Sequence, residues 1–596
     1  MVNAIKERLS RLRGFMKKHE IEAFIIPSSD AHISEYTAEH WQARTWISGF
    51  TGSAGTVVVT KDKAGLWTDS RYFLQAEQEL FETGIDLYKM GVSGTPDIVD
   101  FIMREVPAES KIGIDGDVFT VNEVRRMKAL LDKKDIQVIA EHDPFDELWY
   151  DRPSLPKDPI FELPDIFAGN NAEDKINAID EILHREGANC TILTALDEIA
   201  WTFNIRGTDV EHNPVAIAYA FVSKEESILF IELDKLTEEL RESLHDQNIS
   251  FADYHKFGSY LSKLESKSTV LIDPNKMNYN LYEMISEDCK VIEAPSPVAL
   301  LKSIKNNTEI DGFRRAMVKD GVALTRFFIW LEQNIDSEQL TEHSISERLL
   351  EFREEQELFF GTSFSTIAGF KSNGAIVHYR PTKDNALTLS KESFLLLDSG
   401  GQYFDGTTDI TRTTALGELT DMQKMDYTLV LKGHIGIATC KFPEGTRGSQ
   451  IDILARKAMW DRGLNYGHGT GHGIGHFLNV HEGPQSIRME ENPTKLVPGM
   501  ILSNEPGLYR AGEYGIRIEN LILVNEEMVT PFGKFLGFET LTLFPIDTKG
   551  IDFTLLSKEE IDWLNSYHES VYTKLSPNLT EDEDRWLREK TKPVQA

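Results

Sequence analysis

At 596 residues, 41% of them hydrophobic and 27% charged, the chain has the composition of a soluble globular protein and the length of several domains, not of one core. Its 63 Lys and Arg against 96 Asp and Glu give a formal net charge of −33, which repels phosphate backbones and anionic lipid surfaces and so excludes nucleic acid as a partner. No stretch approaches about 18 uninterrupted apolar residues, so no membrane-spanning helix is expected.

The chain begins with a charged amphipathic helix over residues 5–19, not an apolar signal core. Its three cysteines, Cys190, Cys289 and Cys440, are scattered without CxxC spacing. They argue against a disulfide framework or a thiolate zinc site and for a reducing, cytoplasmic setting. The helix feeds the apolar run Ala23-Phe24-Ile25-Ile26-Pro27, then Asp30, a segment ending at Phe50, and a strand over 56–60. Pro153, Pro156, Pro159 and Pro164 mark 151–164 as an extended linker without regular elements. Beyond it a second helix over 172–184 feeds a strand over 190–193, the segment 196–207 and a strand over 216–222. Two copies of one α/β unit is the economical interpretation, and the general likeness of α/β domains is the alternative. A further break at Ala294-Pro295-Ser296-Pro297 leaves 1–150, 165–295 and 305–596 as candidate domains.

The third region opens with amphipathic helices over 309–333 and 344–354. Strands follow over 394–397, 500–503 and 515–524, which predicts a sheet carrying inward acids between helices. From Gly550 onward, Trp563, Tyr567, Tyr572 and Trp586 lie in helix-like sequence, either as a docking face or folded onto their own domain.

Asp398, Asp409, His472, Glu505 and Glu519 each stand on or beside one of these strand-like runs. Taken singly, every acid is more at home as solvated surface. Together, four carboxylates and one imidazole suffice to hold two divalent ions with a water between them, and inward acids call for a neutralising cation. Asp398 and Asp409 are eleven residues apart across a glycine-bearing stretch that lets two antiparallel strands bring them together, although spacing alone places Asp405 equally well. Glu519 is expected within a strand, with Arg517 on the same face. His468, His472, His476 and His481 are four of the sixteen histidines within fourteen residues, a density that packing does not explain. The glycines between them rule out an HExxH helical face. His378, at the end of a short apolar run, reads equally well as a core histidine.

The ordered set Asp398, Asp409 in Asp-Ile-Thr-Arg-Thr, His472 in His-Gly-Thr-Gly-His-Gly, Glu505 in Glu-Pro-Gly and Glu519 in Arg-Ile-Glu-Asn resembles the dinuclear site of the pita-bread peptidases. Within that superfamily the chain resembles the three-domain cytosolic Xaa-Pro aminopeptidases over essentially its whole length. The likeness includes Asp30-Ala31-His32, the run from Gly49 to Thr56, the run from Trp67 to Phe73, Asn204-Ile205-Arg206-Gly207 and His212-Asn213-Pro214. The resemblance implies an α/β and α+β protein. Two related N-terminal α/β domains of the creatinase/prolidase type (1–150 and 151–304) would precede a pita-bread catalytic domain (305–550) with a helical extension (551–596). It implies that Asp398 chelates one ion, His472 and Glu505 the other, and that Asp409 and Glu519 bridge. Glu505 would also serve as general base and acid toward a dimetal-bridging hydroxide. His481 would contact the scissile carbonyl, His378 the scissile nitrogen and His468 the proline ring, with Arg517 beside Glu519. Two divalent ions, usually manganese, a cytoplasmic homodimer, and peptide substrates with proline in second place are also implied, with the first two domains enforcing a free N-terminus. A prolidase would be shorter by one N-terminal unit, and a metal-free scaffold would not keep all five ligands.

Overall fold

The computed structural model describes residues 2–336 and 339–595. The chain forms two compact units, one of residues 1–163 with 170–301 and one of residues 164–169 with 302–596.

In the first unit, helix α1 (Val2–Lys18) buries Ile5, Leu9, Leu12, Phe15 and Met16, the i, i+4, i+7 stripe of an amphipathic helix. It lies over a sheet of β1 (Ala23–Pro27), β2 (Thr56–Thr60), β3 (Ala64–Thr68), β4 (Asp86–Lys89), β5 (Lys111–Ile114) and β6 (Gln137–Ile139), ordered β4-β3-β2-β1-β5-β6. The central strands are continuous apolar runs because both faces are covered, Val57, Val58 and Val59 being fully buried. Past the linker, α2 (Ala172–Glu186) is capped at its start by the Asn171 side chain and ended by Gly187 in the left-handed conformation. It precedes β7 (Cys190–Leu193), β8 (Ala218–Ser223), β9 (Ser227–Ile231), β10 (Ile249–Ala252), β11 (Thr269–Ile272) and β12 (Lys290–Glu293), ordered β10-β9-β8-β7-β11-β12. Counted from its own first strand, the second sheet repeats the order of the first. It also repeats its sense, antiparallel at the two pairings that join its first three strands and parallel at the other three. Generic α/β likeness does not produce agreement at every pairing, so the sequence echo is a repeat of one unit.

The linker departs from expectation at one point. Phe161–Glu162 forms a two-residue strand against Ile205–Arg206, because its backbone finds partners there, with Leu163 N–H donating to the Asn204 carbonyl at 2.6 Å.

Two of the sheets in the second unit frame the acids. Helices α3 (Asn307–Asn334) and α4 (Glu342–Glu354) open with capping boxes, Asn306 with Glu309 and Thr341 with Ser344. They pack on an antiparallel sheet β13-β14-β15, formed by Ile367–Phe370, Phe394–Ser399 and Ile410–Ala415. Helices α5 (Asp421–Ala438) and α6 (Gly448–Trp460) flank a larger sheet. Its strands are β16 (Phe442–Pro443), β17 (Gly471–Gly473), β18 (Glu482–Ile487) and β19 (Ile501–Asn504), while β20 (Gly507–Arg510) and β21 (Tyr514–Arg517) form a separate hairpin, and β22 (Asn520–Thr530) and β23 (Gly533–Thr540) complete the sheet. Its order is β16-β23-β22-β19-β17-β18.

The single strand expected over 515–524 is two strands. β21 pairs with β20 and β22 with β19 and β23, so the chain changes sheets at Ile518 and Glu519. There the Glu519 N–H donates to the Thr411 carbonyl of β15 at 3.1 Å. The tail forms α7 (Lys558–Leu575) and α8 (Glu581–Lys590). Leu564, Tyr567, Val571 and Leu575 are buried in the core that holds Ile516 and Leu521, with Trp563, Tyr572 and Trp586 packed against it. The aromatic residues of the tail are thus folded onto their own domain. Among the described residues no helix is long and apolar enough to cross a membrane.

Candidate metal centre

Five separate elements bring the acids together. Asp398 is the fifth residue of β14, opposite Thr411 of β15, and Asp409 immediately precedes β15, so the antiparallel pair places the two aspartates at one end of the small sheet. His472 is the middle residue of β17, Glu505 follows β19, and Glu519 occupies the step between β21 and β22. Ligand atoms of Asp409, His472 and Glu519 lie within 4.8 Å of one another. His472 Nε2 is 3.6 Å from Asp409 Oδ2 and 3.5 Å from Glu505 Oε1. His472 Nδ1 lies 2.9 Å from the Gly473 carbonyl, an acceptor only, so Nδ1 carries the proton and the Nε2 lone pair faces the carboxylates.

The acids are buried at the expense of their charge. Burial, and after it the neighbouring Glu519, Asp398 and Glu505, push the Asp409 carboxyl well above the usual carboxylate range. Burial, then Glu505 and Asp398, do the same to Glu519. Arg517 answers them directly. Arg517 Nη2 donates to Asp398 Oδ2 at 2.6 Å, and its other donors reach Tyr509 Oη at 2.7 Å, Thr411 Oγ1 at 3.2 Å and the Val377 carbonyl at 3.4 Å. Burial opposes the charge of Arg517, but Tyr509, Asp398 and Glu505 outweigh it and hold the guanidinium well above its ordinary value. Thr411 Oγ1 donates in turn to Glu519 Oε2 at 2.7 Å, so Arg517 grips Asp398 directly and Glu519 through one hydroxyl.

These residues fit a pair of divalent cations. The Asp398 Oδ1 atom is buried without a hydrogen-bond partner, Asp409 and Glu519 are raised by burial and then by neighbouring carboxylates, and His472 turns its unprotonated Nε2 toward Asp409 and Glu505. An oxygen-rich donor set with a single nitrogen suits hard to borderline divalent ions.

The histidines separate into distinct surroundings. The His481 ring meets that of His472 edge-on at 4.3 Å and 83°. His468 Nδ1–H donates to the Gly469 carbonyl at 2.7 Å, so its Nε2 accepts from Tyr509 Oη at 2.8 Å, and burial pushes the Tyr509 hydroxyl up to about 12. His378 lies in the turn after residues 371–375, next to the Val377 carbonyl that Arg517 reaches. His476 is turned away, with Nε2 donating to the Asp405 carbonyl at 3.1 Å. Asp405 is buried too, but Lys319 at 2.8 Å and Arg315 at 3.2 Å neutralise it.

Sequence reasoning assigned nothing to Thr411, Arg412, His434, Tyr509 or the asparagines Asn504 and Asn520. His434, fully buried in α5, donates from Nδ1 to the Asn504 carbonyl and accepts at Nε2 from Asn520 Nδ2, each at 3.1 Å. Burial, then the nearby Arg412 charge, pulls its pKa down to about 3. The signal in the sequence is a histidine set among the apolar residues Leu429, Val430, Leu431, Ile435 and Ile437 of one helix.

Residues 311–526 match metallopeptidase family M24 and 534–594 the C-terminal region of that family, while 8–147 and 151–309 each match the creatinase/prolidase N-terminal domain. Two related N-terminal α/β domains followed by a pita-bread domain carrying a carboxylate-rich cluster define a metallopeptidase, a hydrolase. A probable Xaa-Pro aminopeptidase P of Laccaria bicolor is 43% identical, the match covering 99% of this chain and 93% of that one. Xaa-Pro aminopeptidase 1 of Dictyostelium discoideum is 40% identical over 99% and 97% of the two chains. The crystal structure of X-prolyl aminopeptidase from Caenorhabditis elegans, described as a cytosolic enzyme with a di-nuclear active site, superposes with a TM-score of 0.94 at 36% identity, covering 99% of this chain and 100% of that one. The chain belongs to the Xaa-Pro aminopeptidase family.

Proposed function

We propose that the protein removes the N-terminal residue from peptides whose second residue is proline, with Asp398, Asp409, His472, Glu505 and Glu519 holding two divalent ions. The convergence of these five side chains from five elements carries the proposal. Asp398, with one oxygen gripped by Arg517 and the other unpartnered, would chelate one ion. His472 and Glu505 would chelate the other, and the more deeply placed Asp409 and Glu519 would bridge. When bound, two such ions, manganese by family resemblance, supply a hydroxide near neutral pH and polarise the scissile carbonyl.

Glu505, half-buried and steadied by Ser503 Oγ at 3.2 Å, takes a proton at its carboxylate and delivers it to the departing nitrogen. That delivery matters because a peptide nitrogen is a poor leaving group until it is protonated, and the proline nitrogen is no exception. His481 donates to the carbonyl oxygen as negative charge develops there, and His378 faces the scissile nitrogen. His468, held by Tyr509, lines the space for the proline ring, which is recognised by shape because it offers no donor. Arg517 acts through Asp398 and Thr411, orienting the acids. A cytoplasmic homodimer, as the resemblance implies, completes the proposal.

The test incubates purified, manganese-loaded protein with an Xaa-Pro-Xaa tripeptide and with an Xaa-Pro dipeptide, each with and without chelator. Cleavage of the tripeptide that chelator abolishes is expected. Cleavage of the dipeptide alone would make the protein a prolidase, and inactivity on both with every divalent ion tried would make it a scaffold.

A further inference from the structure

We infer that the C-terminal extension is a working part of the metal centre, in which a buried polar network running from Tyr567 through Arg412 to Asn520, His434 and Asn504 positions the backbone that carries Glu519 and Glu505. The inference deepens the proposed function, since it takes those two glutamates as metal ligands.

Arg412 is 3% exposed, and among the described residues no carboxylate lies within ion-pair distance of it. A guanidinium buried without a counter-ion is tolerated only where dipoles meet its N–H groups. Here Nε donates to the Pro545 carbonyl at 3.0 Å, and Nη1 to the carbonyls of Thr411 at 3.0 Å and Glu519 at 2.6 Å. Nη2 donates to Asn520 Oδ1 at 2.8 Å, the Phe544 carbonyl at 2.7 Å and Tyr567 Oη at 2.8 Å. One side chain therefore binds the main chain of Glu519 on one side and helix α7 of the extension on the other.

Donor and acceptor roles along the rest of the network are fixed. Tyr567 Oη accepts from Arg412 and gives its proton to the Phe544 carbonyl at 2.9 Å or the Thr542 carbonyl at 3.0 Å. Asn520, its oxygen taken by Arg412, donates from Nδ2 to His434, and His434 donates to the Asn504 carbonyl. Asn504 Nδ2 returns a bond to the His434 carbonyl at 2.9 Å. Asn504 and Asn520 stand opposite each other in the β19–β22 ladder, one directly before Glu505 and the other directly after Glu519. The network thus fixes both glutamates at the backbone, next to the positions where they leave their strands. Tyr567, Arg412, Asn520 and His434 are positioning residues, since their bonds run to the backbone and asparagines beside Glu519 and Glu505 and not to the carboxylates themselves. Outer-shell partners of this kind typically govern metal affinity by 10- to 100-fold.

The experiment uses the full chain and compares Tyr567→Phe, Arg412→Lys, Tyr572→Phe and Glu519→Gln with wild type. The readouts are the manganese dissociation constants by calorimetry, kcat and KM on a tripeptide, and melting of the metal-free protein. Tyr567→Phe removes one hydroxyl and leaves the ring in place. It is expected to weaken the weaker manganese site about 10- to 100-fold and to lower kcat at unchanged KM, while the metal-free protein melts close to wild type. Arg412→Lys, which keeps the charge and loses the fork, should move the same quantities further. Tyr572→Phe, on the same helix but with its hydroxyl beside Asp584 and Arg588, should move none of them. Unchanged metal binding in Glu519→Gln would overturn the ligand assignment. Weakened binding in Glu519→Gln beside wild-type constants in Tyr567→Phe and Arg412→Lys would overturn the network alone. Amide exchange in wild type needs no variant. Manganese should slow exchange in α7 around residues 561–571, and identical exchange with and without metal would also overturn the inference.

Discussion

His434 offers the most quantitative handle on this buried polar region. Burial and the Arg412 charge hold its folded-state pKa at about 3, against about 6.5 in an unfolded chain. A histidine whose pKa is lowered by folding binds its proton in the unfolded state first. Its contribution to stability is therefore complete above about pH 6.5 and is lost as pH falls from there toward 3. At pH 5 the unfolded side lies about 1.5 units below its pKa, a loss of about 2 kcal/mol from this one group. His434→Gln isolates the effect, because a carboxamide can donate to the Asn504 carbonyl and accept from Asn520 Nδ2 but takes up no proton. The assay is urea unfolding at pH 7 and pH 5 in chelator, following the transition that added manganese displaces. Wild type should lose about 2 kcal/mol more than the variant between the two pH values. Equal losses would refute the assignment of a buried neutral imidazole. His568, also buried and pulled to about 4 by burial and then by Arg412, contributes to both proteins alike and cancels from the difference.

Asp409→Asn and Glu505→Ala should each lose turnover by several orders of magnitude while circular dichroism stays that of wild type, and near-normal turnover in either would remove that residue from the site. Glu482, next to His481, is the shared partner of two buried ammonium groups, Lys302 at 2.7 Å and Lys305 at 2.5 Å. Glu482→Gln removes the carboxylate that both ammonium groups share and should destabilise the second unit by about 3–5 kcal/mol in urea unfolding, whereas a loss below about 1 kcal/mol would mean that other groups hold the lysines.

Element identity was legible wherever local periodicity decided it. The strands over 56–60 and 190–193 fall where the apolar runs placed them, and the long helix expected over 309–333 is Asn307–Asn334. Tertiary pairing overrode periodicity at Glu519, where an unbroken run of β-formers reads as one strand but divides between two sheets. The acids were visible as a set, yet nothing in the spacing distinguished Asp405. Its neutralisation comes from Arg315 and Lys319 of α3, about ninety residues away in sequence. Arg412 was in plain view within Asp-Ile-Thr-Arg-Thr, but its partners come from residues 411, 519, 520, 544, 545 and 567, a convergence that exists only once the tail has folded. Buried polar networks of this kind are written in no local period, because each member satisfies a group distant along the chain.

The central claim is that five side chains from five elements hold two ions. Equilibrium dialysis of the metal-free chain against manganese, with bound metal counted by elemental analysis, tests it most directly. Two ions per chain in wild type, with at least one lost in Asp409→Asn, is the predicted result. Two ions retained in Asp409→Asn, or none bound by wild type, would contradict it.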